Sequence, residues 1–267
     1  MLLIDCYAYT NRLVSVHPAE KGAFALATMI ICLMSPSITV YALIAALVAV
    51  AVVKRAGIPL SVYLKALAVP AAFLLASVGV VAVSISGSAE GYIAGFAMGG
   101  YFIGVHPGDL DIALRLFLRS IGAISCLFFL SMTTPLVEII NMLRKLKLPS
   151  VIIDIMVLMY RFIFVLMETA VAIFNSQSSR LGYCSLKNSY KSMGSLAVNL
   201  LFMAYRRSEA IYTAMASRGY EGEIRVLEHH HRLSGVNAAA IAAIDIILIL
   251  ISLAEWSGGG PFGGIHF

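Results

Sequence analysis

The chain has 267 residues, of which 60% are hydrophobic and only 12% charged, and its mean hydropathy is +0.91. Because soluble domains are about 45–50% apolar and about 25% charged, this composition excludes an ordinary soluble domain. It predicts an all-α integral membrane protein with about five transmembrane helices. The net charge of +5 is assigned to cytoplasmic loops and not to nucleic-acid binding, since the basic residues are interleaved with apolar segments.

Five apolar segments approach or reach the roughly 20 residues that a spanning helix needs. In chain order they are residues 22–34, beginning near Pro18, then 38–53, 62–85, 112–132 and 236–253. The short turn 35–37 predicts a helical hairpin between the first two segments. A glycine-rich loop, 87–108, separates the third segment from the fourth.

The basic residues lie on alternate sides of these segments. Lys and Arg occur in the N-terminal tail, in the second loop and throughout residues 133–235. They are missing from the turn 35–37, the loop 87–111 and the C-terminal tail. Because basic loops stay in the cytoplasm, this pattern predicts a multi-pass protein with its N-terminus inside and its C-terminus outside.

Residues 151–174 are also long and apolar enough to span. However, Asp154, Arg161 and Glu168 recur every seven residues, which places them on one helical stripe. A crossing here would move the basic stretch 206–232 outside, against the charge bias. We therefore expect an amphipathic cytoplasmic helix from 151 to about 180, although its depth in the membrane stays open. The stripe is compatible with interhelical pairs or with solvation.

A second amphipathic helix is predicted at about 189–217, and a shorter one at 136–146 before Pro149. Residues 133–235 then form a helical module that is too long to be a simple loop. The expected division of the chain is 1–132 for transmembrane helices 1–4, 133–235 for cytoplasmic coupling helices, and 236–267 for the last transmembrane helix and an outside tail.

Both long cytoplasmic helices end in a similar sequence. SQSSRLGY covers residues 176–183 and AMASRGYEGE covers 214–223, so that each contains Ser-Arg, then glycine, then tyrosine. A cation and a glycine are common at a helix C-terminus. Ordinary helix capping therefore explains either end when it is considered alone. Their repetition favours a docking role, because arginine binds carboxylates through a bidentate fork.

Ionisable residues inside a membrane are costly and often functional. Asp245 lies midway along the last predicted span, and Arg115 and Arg119 lie on the fourth. We expect Asp245 to form a charge pair with one of these arginines. The four cysteines are interpreted as small core residues, and the run His229–His231 as a solvated loop in preference to a metal site. No metal or other cofactor is expected.

Enzyme motifs are missing from the sequence, among them His-Glu-x-x-His, Gly-x-Ser-x-Gly and the Walker-type phosphate loop. The chain is therefore expected to be non-catalytic and to depend on a partner for ATP hydrolysis. A self-contained secondary transporter is an alternative, but such proteins usually contain repeated halves, which this sequence does not show. An intramembrane enzyme is disfavoured.

Four stretches together carry a resemblance to a known family. They are IDCYAYTNRLVSVHPAEK (4–21), TTPLVEIINMLRKLKLP (133–149), LMYRFIFVLMET (158–169) and RRSEAIYTAMASRGYEG (206–222). Over nearly its whole length the sequence resembles the transmembrane T component of energy-coupling factor (ECF) transporters, most closely the CbiQ type of cobalt uptake systems.

The resemblance implies a prokaryotic cell-membrane subunit that couples two ATP-binding-cassette ATPases to a separate membrane subunit for substrate capture. Cobalt is the expected cargo, with nickel or a vitamin as alternatives, and the metal site would belong to the capture subunit. The residues implied in ATPase docking are Ser179, Arg180, Leu181 and Gly182, and Ala216, Ser217, Arg218 and Gly219. Both signatures depart from a strict Ala-Arg-Gly: a leucine stands before the first glycine, and a serine before the second arginine.

Overall fold

A computed structural model describes residues 3–81, 84–86, 94–98, 101–105, 107–146, 148–222 and 235–257. The described helices are α1 Leu3–Thr10, α2 Pro18–Met34, α3 Ile38–Val50, α4 Leu60–Val81, α5 Pro107–Thr133, α6 Leu136–Lys145, α7 Ser150–Ser179, α8 Leu186–Ser217 and α9 Gly235–Ser257; α3 continues into a π-helical turn, Ala51–Arg55. The predicted helical membrane fold is confirmed, and the sequence analysis missed only the short α1 among these helices.

A small antiparallel sheet interrupts the helical pattern between α4 and α5. Its strands are β1 Ser84–Ser86, β2 Ala94–Met98 and β3 Tyr101–Val105, arranged in the order β1-β3-β2. The sequence analysis treated 87–108 as a loop and extended the preceding helix to 85. The loop assignment is wrong for β2, β3 and the start of α5, and the helix assignment is wrong for Ser84 and Ile85; residues 82–83, 87–93, 99–100 and 106 lie outside the described residues. The run YFIGV contains aromatic and β-branched residues, which favour strands. The many glycines in the surrounding sequence favoured the loop interpretation instead.

Five helices in the described part of the chain are long and apolar enough to cross a membrane. They are Ile38–Arg55, Leu60–Val81, Gly108–Thr133, Ser150–Ser179 and Gly235–Glu255. Five is also the predicted number of spanning helices, but the set of helices differs from the predicted one. By length and composition α7 qualifies, whereas α2 has only 17 residues.

The chain forms two compact units. The larger unit comprises Leu2–Pro135 and His230–Phe267. In this unit α5 packs against α1, α2, α3 and α4, and α9 packs against α2. Its core includes Phe24 and Phe129, whose rings meet edge to face at 5.2 Å, together with Tyr41, Cys126 and Met132. α5 is therefore the central helix of this unit.

The end of α5 is capped by polar residues from the N-terminal stretch of the chain. Lys21 is 3% exposed, and its Nζ donates to the carbonyls of Thr133 at 3.0 Å and Leu13 at 3.1 Å. Asn11 is also buried, and its Nδ2 donates to the carbonyls of Ala8 at 2.7 Å and Thr133 at 3.3 Å. A helix leaves its last carbonyls without intrahelical partners, and these two side chains satisfy that of Thr133.

The smaller unit comprises Leu136–His229 and contains α6, α7 and α8. α6 packs against α7, and α7 packs against α8. The last turn of α7 contacts the beginning of α8, where Gln177 donates to the carbonyl of Ser192 at 3.1 Å. The beginning of α7 contacts the residue that closes the turn after α8, where Tyr220 donates to Asp154 at 2.8 Å. α7 and α8 are therefore an antiparallel hairpin.

Candidate functional site

The two arginine-containing helix ends have the same backbone structure. Arg180 caps α7 with φ −99° and ψ 18°, and Arg218 caps α8 with φ −98° and ψ 11°. At the first end, the amides of Leu181 and Gly182 donate to the carbonyls of Ser178 and Gln177 at 3.0 and 2.8 Å.

At the second end, the amides of Gly219 and Tyr220 donate to the carbonyls of Ala216 and Met215, each at 3.1 Å. At both ends the amide of the first residue after the cap donates to the carbonyl three residues earlier, and the next amide donates to the carbonyl five residues earlier. This pair of bonds defines the Schellman motif. The similarity seen in the sequence is therefore a similarity of backbone structure.

The structure changes the alignment of the two signatures. Leu181 has a φ of 58° and Gly219 a φ of 74°, so both occupy the left-handed position that follows the cap. Leu181 is therefore a substitution at the glycine position and not an insertion before a glycine. Gly182 corresponds instead to Tyr220.

Gly182 is required for close packing at the first end. A Cβ at this position would lie 2.8 Å from the Gln177 carbonyl oxygen and 2.8 Å from Ser192 Oγ. The Ser192 hydroxyl donates to the Gly182 carbonyl at 2.9 Å, and Tyr183 donates to the Gln177 side chain at 2.7 Å. This turn is thus fixed by contacts between α7 and the start of α8.

The serines before the two arginines bond within their own helices. Ser179 Oγ donates to the Asn175 carbonyl at 2.9 Å, and Ser217 Oγ donates to the Thr213 carbonyl at 2.7 Å. Ala216 is exposed, as are Arg180 and Arg218. The guanidinium groups are therefore the exposed charged groups of the predicted docking residues.

The three charged residues of the α7 stripe differ in their exposure to solvent. Asp154 is 4% exposed, and its Oδ2 accepts the 2.8 Å hydrogen bond from the Tyr220 hydroxyl. This hydrogen bond to a carboxylate raises the pKa of Tyr220, because removing the hydroxyl proton would break it. Arg161 and Glu168 are exposed. The stripe is neither fully paired nor fully solvated.

A groove of about 730 Å³ lies between α7 and the second half of α8. The groove is lined by apolar side chains and by three arginines, which are Arg161 of α7, Arg207 of α8 and the capping Arg218. Tyr220, which is bonded to Asp154, also lines it. Arg161 and Arg207 were not among the predicted site residues. No sequence signal identifies them without knowing that α7 and α8 pair in antiparallel fashion.

Arg115, Arg119 and Asp245 lie on α5 and α9 and differ in their contacts. Arg115 Nε binds Asp111 Oδ2 at 2.7 Å one helical turn earlier, and Arg115 Nη1 donates to the Pro36 carbonyl at 2.8 Å. Arg119 Nε and Asp245 Oδ1 are both buried without a hydrogen-bond partner in the described residues. The pairing of Asp245 with Arg115 or Arg119 stays a prediction.

The cysteines divide into two pairs of different environment. Cys32 and Cys126 are buried, as expected of small core residues, whereas Cys6 and Cys184 are exposed. Within the described ranges no group of three or more His, Cys, Asp or Glu residues is placed to hold a metal ion. The run His229–His231 lies outside the described residues.

Comparison with known proteins finds related sequences. A family model described as a cobalt transport protein, CbiQ, matches residues 10–229. The chain is 34% identical over 252 residues to an uncharacterised protein of Methanocaldococcus jannaschii, covering 94% of this chain and 92% of the relative.

Two further relatives have informative names. The cobalt transport protein CbiQ of Salmonella typhimurium is 31% identical over 225 residues, which is 84% of this chain and 99% of that protein. The energy-coupling factor transporter transmembrane protein EcfT of Lactococcus lactis is 27% identical over 168 residues, covering 59% of this chain and 63% of the relative. The chain therefore belongs to the CbiQ family of transmembrane components of ECF transporters.

Proposed function

We propose that this chain is the coupling subunit of an ATP-driven cobalt uptake transporter. In this proposal α7 and α8 pass the motion of two ATPase subunits to a membrane subunit that captures the substrate. One observation carries the proposal: the exposed Arg180 and Arg218 cap two long helices in the same Schellman geometry. The family membership supports the transporter context.

The antiparallel hairpin separates the two arginines. Arg180 follows the last turn of α7, whereas Arg218 lies beside Tyr220, which contacts Asp154 in the first turns of α7. At a rise of about 1.5 Å per residue, the helix between residues 154 and 180 separates the two ends by about 40 Å. This spacing suits two separate ATPase subunits, each binding one arginine-capped end through surface carboxylates.

A rigid pair of helices suits the transmission of movement. ATP binding would draw the two ATPases together, and each ATPase would displace the helix end to which it is docked. Packed helices shift as rods when a partner domain moves, so the displacement would reach the rest of the chain. The chain itself would remain non-catalytic.

Co-purification with ATPase subunits tests the docking role. We expect the wild-type chain to retain both ATPases, Arg180→Glu and Arg218→Glu each to weaken retention, and the double variant to lose it. Arg206→Glu is the matched control, because Arg206 is an exposed arginine of α8 that stacks on Phe202 at 4.7 Å away from either end. Equal retention by the double variant and by the Arg206 control would refute the docking role.

The cargo requires its own measurement. The printed names of the CbiQ relative and of the family model support cobalt, while nickel and vitamins stay alternatives for an ECF-type protein. We expect cells that express this chain with its ATPases and capture subunit to accumulate radioactive cobalt in an ATP-dependent manner. Accumulation of nickel or of a vitamin in place of cobalt would reassign the cargo without changing the coupling role.

The charge distribution supports one orientation of the chain. Basic residues are concentrated in the N-terminal tail and in residues 133–235, so we expect the arginine-capped ends and the N-terminus in the cytoplasm and the C-terminus outside. Single cysteines at the exposed positions Pro36 and Leu186, introduced after the four native cysteines are replaced by serine, distinguish the two faces. An impermeant thiol reagent should label Pro36→Cys from outside the cell. Labelling of Leu186→Cys under the same conditions would overturn this orientation.

A further inference from the structure

The groove between α7 and α8 combines two chemical features on a single surface. Its charged lining consists of Arg161, Arg207 and Arg218, and none of the eleven lining residues is acidic. Its apolar lining includes Leu158, Phe162, Val165, Ile211 and Met215. A ligand that matches both features must carry negative charge and hydrocarbon in the same molecule.

The arginines of the groove lack acidic partners within the described residues. In that part of the chain Arg115 is paired with Asp111, whereas no carboxylate is bonded to Arg161, Arg207 or Arg218. The carboxylate of Asp154 accepts a hydrogen bond from the hydroxyl of the lining residue Tyr220. Three like charges around one groove repel one another unless an anion occupies it.

The surroundings of the groove favour a lipid over an acidic protein segment. The same stretch of α7 that lines the groove exposes Ile155, Met159 and Ile163, with exposed fractions of 49%, 58% and 45%. The most apolar stretch of α7 has a mean hydropathy of 2.2, so that this helix is apolar enough to lie in hydrocarbon. The apolar face of α7 is thus continuous with the apolar lining of the groove, so that acyl chains have a route into it.

We propose that this groove binds an anionic phospholipid, with the phosphate of the headgroup between the three arginines and the upper acyl chains against the apolar lining. Basic pockets between helices near a membrane surface bind anionic headgroups in this way, and the guanidinium fork matches phosphate oxygens bidentately. The volume of about 730 Å³ lies within the usual range of ligand sites, about 300–1,000 Å³. It accommodates the headgroup and part of the chains.

This site overlaps the proposed ATPase docking surface at Arg218, and it can be tested separately through the two arginines that are not shared. Arg161 and Arg207 line the groove but belong to neither arginine-capped end. A variant with Arg161→Gln and Arg207→Gln therefore leaves Arg180 and Arg218 unchanged. The lipid site and the docking role can fail independently of each other.

Native mass spectrometry of the purified full chain tests the proposal, using phosphatidylglycerol and phosphatidylcholine as probes. We expect phosphatidylglycerol to remain bound to the wild type and the Arg161→Gln/Arg207→Gln variant to bind it at least about tenfold more weakly, since the variant removes charge-assisted hydrogen bonds to the phosphate. Arg206→Gln is the matched control, because it removes the same charge from the neighbouring position outside the groove.

Four outcomes decide the proposal. Selective loss of phosphatidylglycerol in the double variant, with binding retained by Arg206→Gln, supports it. Equal binding of the two lipids, or equal binding by the double variant and the control, overturns it. Loss of co-purified ATPase by the double variant with unchanged lipid binding also overturns it and assigns the groove to an acidic segment of the ATPase. If the double variant does not fold, each single glutamine variant is expected to show part of the loss.

Discussion

Leu181 and Gly219 occupy the same left-handed position in two copies of one helix-ending motif, with φ values of 58° and 74°. Glycine adopts this conformation without strain, whereas for a residue with a Cβ it costs about 1–2 kcal/mol. The Leu181 side chain is 72% exposed, so that burial offsets little of this cost. The contacts of Gly182 with Gln177 and Ser192 hold the strained turn in place.

Exchanging the residue type at these two positions should change stability in opposite directions. We expect Leu181→Gly to raise the free energy of unfolding by about 1 kcal/mol and Gly219→Ala to lower it by about 1 kcal/mol. The measurement is thermal unfolding of the purified chain in detergent. Gly194→Ala is a matched control within α8, because this glycine has helical geometry and no atom within 4 Å of an added Cβ.

The control should behave oppositely to Gly219→Ala, since alanine is favoured over glycine inside a helix by about 0.5–1 kcal/mol. If Leu181→Gly lowers the melting temperature, the leucine makes a stabilising contact that outweighs its strain. If it also weakens ATPase retention, the exposed leucine belongs to the docking surface.

The sequence was sufficient to predict most helices, because their apolar runs are long and are bounded by strong end signals. Pro18 begins α2, and Arg180 and Arg218 end α7 and α8 within a residue of the predicted positions. These signals are local. The small sheet was missed because β2 and β3 have only five residues each, including Gly95 and Gly104, so that their local preference for a strand was weak.

The sequence did not predict the groove or the partners of the buried charges, since both depend on tertiary packing. Arg161 and Arg207 are 46 positions apart and share a surface only because α7 and α8 are antiparallel. The ion pair between Arg115 and Asp111 is, by contrast, local, because the two residues lie one turn apart on the same helix. The pairing of Asp245 with Arg115 or Arg119 stays a prediction.

Gly182 should tolerate no larger side chain. Gly182→Ala places a Cβ 2.8 Å from a backbone oxygen, and the turn must shift to relieve this contact. We expect a loss of about 1–3 kcal/mol, the usual cost of overpacking. Limited proteolysis should show faster cleavage between α7 and α8. Gly222→Ala, at an open position with φ 95°, controls for strain without a clash; equal proteolysis of the two variants would argue against the close contact at Gly182.

The hydrogen bond between Tyr220 and Asp154 should respond to alkaline pH. The pKa of Tyr220 is raised above its usual value of about 10. The folded state therefore holds this proton more tightly than the unfolded chain does. The stabilisation is complete below the unfolded pKa and is lost as the pH rises through the folded one.

Tyr220→Phe removes both the hydrogen bond and this pH response. We expect the variant to be less stable than the wild type at neutral pH and the difference to shrink above about pH 10. Hydrogen exchange of the amides at the end of α8, measured from about pH 8 upward after correction for intrinsic rates, reports the effect. Tyr212→Phe, an exposed tyrosine of the same helix, is the control. A constant difference at every pH would show that the hydroxyl bond does not fix this end.

Lys21 provides the sharpest test of the packing in the larger unit. Its buried ammonium group donates to the carbonyls of Thr133 and Leu13, and Lys21→Met keeps a chain of similar length while removing both bonds. Hydrogen bonds from charged groups contribute about 1.5–3 kcal/mol each, so that we expect a loss of at least about 2 kcal/mol. Lys65→Met, at an exposed position of α4, is the matched control.

Thermal unfolding in detergent measures this loss directly. Lys21→Met also removes the attraction between the ammonium group and the negative C-terminal end of the α5 dipole, which increases the expected loss of stability. A fall in melting temperature for Lys21→Met but not for Lys65→Met establishes the lysine as the cap of α5. An unchanged melting temperature would mean that water or Asn11, which also donates to the Thr133 carbonyl at 3.3 Å, satisfies the helix end without it.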